Sequence, residues 1–174
     1  MGGQYIENGQ KPNWKHHLLV FNGENKAKDL MLIWDHLQVS PLRERLLIIE
    51  EFHNILKQDK ELMLNVIREI RKYFVSPTLI TQNVREFLRS DEGKMIIDNC
   101  SMKFLMHQGE NDMADMEDLF GLSKQEKLYL KTCRVGHGYL YTDLFKTKFR
   151  VDYSTKEHAI ITTNPKEKVG NRYE

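Results

Sequence analysis

The sequence predicts an α/β fold: a mostly parallel sheet flanked by helices, with a C-terminal β-hairpin. Three observations carry this reading. "LLIIE", Leu46 to Glu50, is short, continuous and apolar, the pattern of a strand covered on both faces. "DKELMLNVIREIRKYF" follows, with Leu62, Val66, Ile67, Ile70 and Phe74 at helical spacing. "SPTLITQN" then holds a second short strand, Thr78 to Thr81. Strand, helix and strand over Leu46 to Thr81 have the size of a βαβ crossover, whose strands run parallel.

The elements follow in order. "MGGQYIENGQKPNWKHH" is polar and rich in Gly, Asn and Lys, and reads as a loop or frayed terminus. "LLVF", Leu18 to Phe21, is a short strand stopped by "NGEN". "AKDLMLIWDHL" puts Leu30, Ile33, Trp34 and Leu37 on one helical face, and Ser40-Pro41 ends that helix. Asp59 is the expected N-cap of the crossover helix, and basic residues in its last turn suit the helix dipole. "NVREFLRSDEGKMIIDNC" reads as one or two short helices broken near Gly93, with Ser90 as a cap. "SMKFLMHQ" is a third strand. "NDMADMEDLFG" is a helix with Gly121 past its end, and "LSKQEKLYLK" is another, opened by a capping box from Ser123 to Glu126. "GHGYLYT" and "KFRVDY", separated by "DLFKT", form the hairpin. The tail from Thr163 is charged and reads as loose.

Composition bounds the function. The chain of 174 residues suits one domain, and 29% charged with 40% hydrophobic residues is ordinary for a globular protein. A net charge of +1 gives no global basic field for nucleic acid or anionic membrane. Cys100 and Cys133 fit no metal spacing and are too few for a disulfide scaffold, so a reducing cytoplasm is the default. The chain shows no signal-peptide pattern and no apolar run of transmembrane length.

The chemistry concentrates at strand ends. In an open parallel sheet, ligands bind outside the carboxyl ends of the strands. Glu50 and Glu51 sit at one such end, and Gln82 sits just past the other. The arrangement suits a nucleotide site of the Walker B kind. There, one acid holds Mg²⁺, the next polarises the attacking water, and a neighbouring Gln senses the γ-phosphate or that water. From the residues alone, solvated loop acids explain the pattern about as well.

The order of "LLIIEEFHNIL", "IREIRKYFVSPTLITQNVREFL", "NCSMKFLMHQ", "LFGLSKQEKLYL" and "GHGYLYTDLFKTKFRVDYSTKEHAIITTNP" adds to this. Together these resemble the C-terminal part of the motor domain of conjugative-transfer ATPases. Those are type IV secretion ATPases of the TraC/TraE-like class, within the HerA–FtsK group of RecA-like motors. The resemblance spans Leu46 to Pro165. It implies one partial P-loop NTPase-like domain over 1–174, with 1–17 and 163–174 loose. It also implies ATP and Mg²⁺ as cofactors and a homo-oligomeric, hexameric ring at the cytoplasmic membrane face. The partners implied are conjugation-channel membrane proteins and DNA.

By position, the resemblance gives Glu50 the Mg²⁺-holding role, Glu51 the catalytic acid and Gln82 the strand-end Gln. Arg71 and Lys72 match an "RK" pair after the crossover helix, where basic residues reach a neighbour's nucleotide, Arg71 as a finger in trans. A plain helix-terminus role suits the same two cations. Two departures stand out. Glu50 replaces the usual Asp, and its extra methylene moves the carboxylate outward from a metal that demands near-octahedral geometry. The pattern G-x-x-x-x-G-K-S/T is absent from the sequence. The expectation is therefore that this chain alone does not hydrolyse ATP at a motor-like rate.

Other features read more simply. His53 lines the loop after the strand rather than ligating a metal, and the glycines around His137 ease entry into the hairpin. Met95, Met102, Met106, Met113 and Met116 read as core. Arg68, Arg71, Lys72, Arg85 and Arg89 form either a basic ridge or a solvated face. The leading reading is a portion or short form of a conjugative-transfer ATPase. The rivals are a non-catalytic assembly subunit that keeps the motor fold and a DNA-translocase fragment.

Overall fold

A computed structural model describes residues 4–6, 19–21, 25–88, 90–155 and 157. The chain divides into two compact units, Met1–Asn99 and Cys100–Glu174. The tail from Thr163 and the residues around His16-His17 lie outside the described residues, as does Arg89.

In the first unit, β1 (Gln4–Ile6) pairs in parallel with β2 (Leu19–Phe21). Gln4–Ile6 is thus a strand inside a segment whose composition suggests a loop. Helix α1 (Lys26–Val39) starts at Asn25, whose side chain accepts from the Lys28 amide, and ends at Ser40. Ala27, Leu30 and Leu37 are its buried residues.

β3 (Arg45–Glu50) and β4 (Val75–Ile80) pair in parallel, in register from Arg45↔Val75 to Glu50↔Ile80. The crossover between them is α2 (His53–Gln58), α3 (Lys60–Glu69) and a 3-10 turn (Ile70–Tyr73). Asp59 caps α3 as expected, accepting from the Leu62 amide at 2.9 Å. The expected single helix ends early because its last turn tightens and Phe74 turns left-handed, at φ +57°. That turn leaves Phe74 57% exposed instead of in the core. β4 starts earlier than expected and contains Pro77. A strand tolerates proline where the missing N–H has no ladder partner to serve.

The core of this unit gathers Ile49, Phe52, Ile55, Leu56, Met63, Val66, Ile70, Val75, Phe87 and Ile96. Each fully buried side chain of this size contributes roughly 1.5–3 kcal/mol. β3 alternates: Ile49 is buried, while Leu46 is 64% and Ile48 56% exposed. The expectation of a strand covered on both faces is therefore corrected to one covered face.

Past β4, α4 (Val84–Leu88) and α5 (Asp91–Asn99) are separate helices. The break falls at Ser90, near Gly93 as expected. Ser90 caps α5, its Oγ accepting the Gly93 amide at 2.9 Å. Gly93 lies inside α5, where a Cβ would stand 2.1 Å from the Phe87 carbonyl oxygen, so the position suits glycine.

The second unit is an antiparallel sheet, β5 (Met102–Met106), β6 (His137–Thr142) and β7 (Lys146–Arg150), in that order. α6 (Met113–Phe120) ends at Gly121 in the left-handed region, φ +58°, as the sequence suggests. α7 (Lys124–Thr132) opens with the full reciprocal capping box of Ser123 and Glu126. Leu105, Met113, Met116, Leu122, Leu130, Tyr139 and Tyr141 are buried. The methionines divide. Met113 and Met116 are core, but Met95, Met102 and Met106 are exposed, the last two because alternate residues of β5 point away from the buried Leu105.

Candidate functional site

β3 delivers its acids at the carboxyl end of the parallel pair, and the chain there is tightly fixed. Glu51 takes a left-handed backbone conformation, φ +50°. For a residue with a Cβ this costs about 1–2 kcal/mol. What holds it is the next residue. The Phe52 amide donates to the Ile80 carbonyl at 3.2 Å, and its ring is buried edge-on against Phe87, centroids 4.6 Å apart. Burying an aromatic ring outweighs the local backbone cost. α2 then begins at His53.

This geometry brings five residues together. Glu51 Oε2 lies 3.2 Å from His53 Nδ1. The same oxygen is 3.5 Å from the Gln82 backbone amide, the outer limit of a hydrogen bond. His53 Nδ1 is also 3.0 Å from Thr81 Oγ1, which accepts from the Asn83 amide at 3.2 Å. The Glu51 side chain is 30% exposed and that of His53 12%. Glu50 is exposed beside them, and its carbonyl accepts from Lys26 Nζ at 2.9 Å.

Glu50, Glu51 and Gln82 therefore meet at one sheet edge. Arg71 and Lys72 do not. They occupy the 3-10 turn that leads into the amino end of β4. A six-residue strand at 3.3 Å per residue separates the two ends by roughly 20 Å. Lys72 pairs with Glu69 at 3.6 Å. Arg71 borders an open depression with Glu44, Arg45, Leu46, Phe74, Val75 and Ser76.

Thr81 is a site residue that the sequence did not single out, and His53, expected to line the loop after the strand, stands at the start of α2 beside it. The only available signal was an imidazole two residues past an acid at a strand end. Among the described residues, no group of three or more His, Cys, Asp or Glu side chains is placed to hold a metal. Mg²⁺ needs no such cage, because it keeps several waters and takes one or two carboxylates plus substrate phosphates. The exposed Glu50 carboxylate fits that limited role. The first amides of α1 offer no cradle for phosphate: Ala27 N–H donates to Gln58 Oε1 at 3.1 Å and Lys28 N–H to Asn25 Oδ1 at 3.0 Å.

The model of the TraG P-loop domain family matches residues 31–172. The chain belongs to this family. The TraG P-loop domain seen here is also similar to the solved structure of VirB4 of Thermoanaerobacter pseudethanolicus, with 26% identity and a TM-score of 0.69. The match covers 80% of this chain and 42% of the VirB4 chain, so this chain spans less than half of that protein. No curated protein matches. These findings bear out the resemblance to the motor domain of a conjugative-transfer ATPase, and with it the α/β fold class. Among the described residues, no helix of this TraG P-loop domain is long and apolar enough to cross a membrane.

Proposed function

We propose that this chain is the hydrolysis-side portion of a type IV secretion ATPase motor and needs a phosphate-binding loop from outside its own sequence. The observation that carries the reading is the meeting of Glu51 with the Gln82 amide across two parallel strand ends. A partly exposed carboxylate at the carboxyl ends of parallel strands, where open α/β sheets bind ligands, supports the reading.

In this reading Glu51 accepts a hydrogen bond from the attacking water and draws off its proton. Gln82 follows Thr81 at the end of β4, so its amide side chain orients that water or contacts the γ-phosphate. Glu50 is the residue that would hold Mg²⁺. Bound Mg²⁺ supplies neutralisation of the charge that develops on the phosphates. Arg71 and Lys72, at the opposite strand ends, serve a nucleotide on a neighbouring copy, Arg71 as a finger in trans. This requires a ring of copies. Conjugation-channel proteins at the cytoplasmic membrane face, and transferred DNA, are the partners of the whole motor.

A second reading, an assembly subunit without catalysis, draws on the exposed Leu46, Ile48 and Ile80 of the parallel sheet. ATP binding separates the two. The proposed motor portion binds Mg-ATP when joined to a P-loop-bearing segment of a VirB4-type motor and fails to do so alone. Equal absence of binding in both forms favours the assembly subunit.

A further inference from the structure

We infer that Arg45 and Arg71 form one anion site in the depression at the amino end of the β3–β4 pair, suited to the phosphates of a nucleotide held by a neighbouring copy. It rests on the reading of Arg71 as a finger in trans, and adds Arg45 and Phe74 to that role. The depression is open and has a volume of about 540 Å³, within the range of small-ligand sites. Two of its side chains are guanidinia and one, Glu44, is a carboxylate. Among the described residues neither guanidinium pairs with an acid. Arg45 donates instead to two backbone carbonyls, Pro41 at 3.1 Å and Arg43 at 3.4 Å. Carbonyls hold the side chain in place without cancelling its charge. Arg43 adds to the field: burial and then the Arg43 charge lower Arg45 from its ordinary range, and burial, Arg45 and Arg43 in turn lower His36. A positive field of this kind favours an anion from outside, and the planar guanidinium fork matches phosphate oxygens.

Phe74 supplies an apolar wall. Its left-handed backbone costs about 1–2 kcal/mol and leaves the ring exposed at the depression instead of in the core. Its carbonyl accepts the Arg45 amide at 3.0 Å, which ties the strained residue to the strand that carries the cation. Strain held in this way gathers at ligand sites. An apolar surface beside the guanidinia lowers the local dielectric and strengthens their contact with phosphate. The length of the strands decides the source of the ligand. Glu50 and Glu51 stand at the far end of β3, roughly 20 Å away, too far for the nucleotide at a copy's own acids to reach its own depression. A neighbouring copy brings the phosphates within reach.

The test uses the chain as it is, with ¹⁵N-labelled arginine, titrated with sodium tripolyphosphate at pH 7 and low salt. The Nε–H resonances of Arg45 and Arg71 are expected to shift together along one saturation curve. Arg45→Gln is expected to weaken the binding read at Arg71 by about 10-fold, and Arg71→Gln the binding read at Arg45. Lys131→Gln, which removes a charge from the second unit, is expected to leave the curve unchanged. Tricarballylate, an anion of carboxylates, is expected to bind more weakly. A shift at one arginine only or at neither, curves that saturate apart, equal weakening by all three substitutions, or tighter binding of tricarballylate overturns the inference. The joint curve is read on the unmutated chain, so it decides even if a variant fails to fold. The neighbouring copy is tested with the form joined to a P-loop-bearing segment. Copies carrying Arg45→Gln, mixed with copies carrying Glu51→Gln, are expected to recover turnover that neither has alone, and no recovery overturns the role in trans. The titration contains no nucleotide, so it can fail while turnover of the joined form still depends on Glu51, and the reverse.

Discussion

The Phe52 amide donates to the Ile80 carbonyl at 3.2 Å, which carries the parallel pairing one step past Glu51. The strained residue is therefore spanned, with ladder on one side and a buried ring on the other. Local strain at Glu51 is sustained by the packing of the next residue, Phe52.

Two substitutions separate strain from packing. Glu51→Gly is expected to be more stable than Glu51→Ala by about 1 kcal/mol, because glycine enters the left-handed region without a Cβ penalty. Phe52→Ala is expected to lose about 3–5 kcal/mol. Urea unfolding of the three variants checks both. Equal stability of the Gly and Ala forms removes the strain argument.

Gly93 is set by close approach. Its missing Cβ would meet the Phe87 carbonyl at 2.1 Å, and Phe87 carries the ring that packs on Phe52. Gly93→Ala is expected to cost about 1–3 kcal/mol. A melting curve unchanged by this variant contradicts the packing described between α4 and α5.

The capping box of α7 carries a pH signature. Burial pushes the Glu126 carboxyl up, but hydrogen bonds from Ser123 and the Lys146 ammonium at 3.1 Å outweigh it, and the net shift is downward. A carboxyl lowered on folding adds stability above its unfolded value of about 4.3 and loses it as pH falls through the folded value. Glu126→Gln is therefore expected to destabilise at pH 7 and to match the wild type in stronger acid. Thermal melts across pH 2–8 check this, and a gap that widens in acid contradicts it.

Tyr141 is buried, and among the described residues no hydrogen bond of ordinary geometry reaches its hydroxyl, which lies near the Glu126 carboxylate. Burial, then the nearby Glu126 charge, pushes its phenol well above the ordinary range. Leaving a buried hydroxyl unpaired costs about 1–3 kcal/mol, so Tyr141→Phe is expected to be neutral or stabilising. A loss of more than about 1 kcal/mol in a denaturant titration would show a partner for that hydroxyl.

Much of the fold was legible because its signals are local. The Asp59 and Ser123 caps, the Gly121 stop and the Ser40-Pro41 break each depend on neighbouring residues. The strand pair was legible from apolar runs at crossover spacing. What escaped depends on contacts distant in sequence. Pro77 hides the start of β4, since its fit depends on which side faces β3. Phe74 carries a helical pattern that the left-handed turn overrides. The exposed faces of Leu46 and Met102 depend on what packs over a sheet, which a hydrophobic pattern does not record. At the site, the meeting of Glu50, Glu51 and Gln82 followed from parallel topology. His53 and Thr81, 28 positions apart, come together only through the fold.

The central claim is that Glu51 supplies the hydrolytic acid of a site that another segment must complete. The most direct measurement is steady-state Mg-ATP turnover by the chain alone, by the chain joined to a P-loop-bearing VirB4-type segment, and by the joined form carrying Glu51→Gln. The account predicts turnover in the joined form only, falling by about 10²–10⁴-fold in Glu51→Gln. Undiminished turnover in joined Glu51→Gln, or Glu51-dependent turnover by the chain alone, would contradict it.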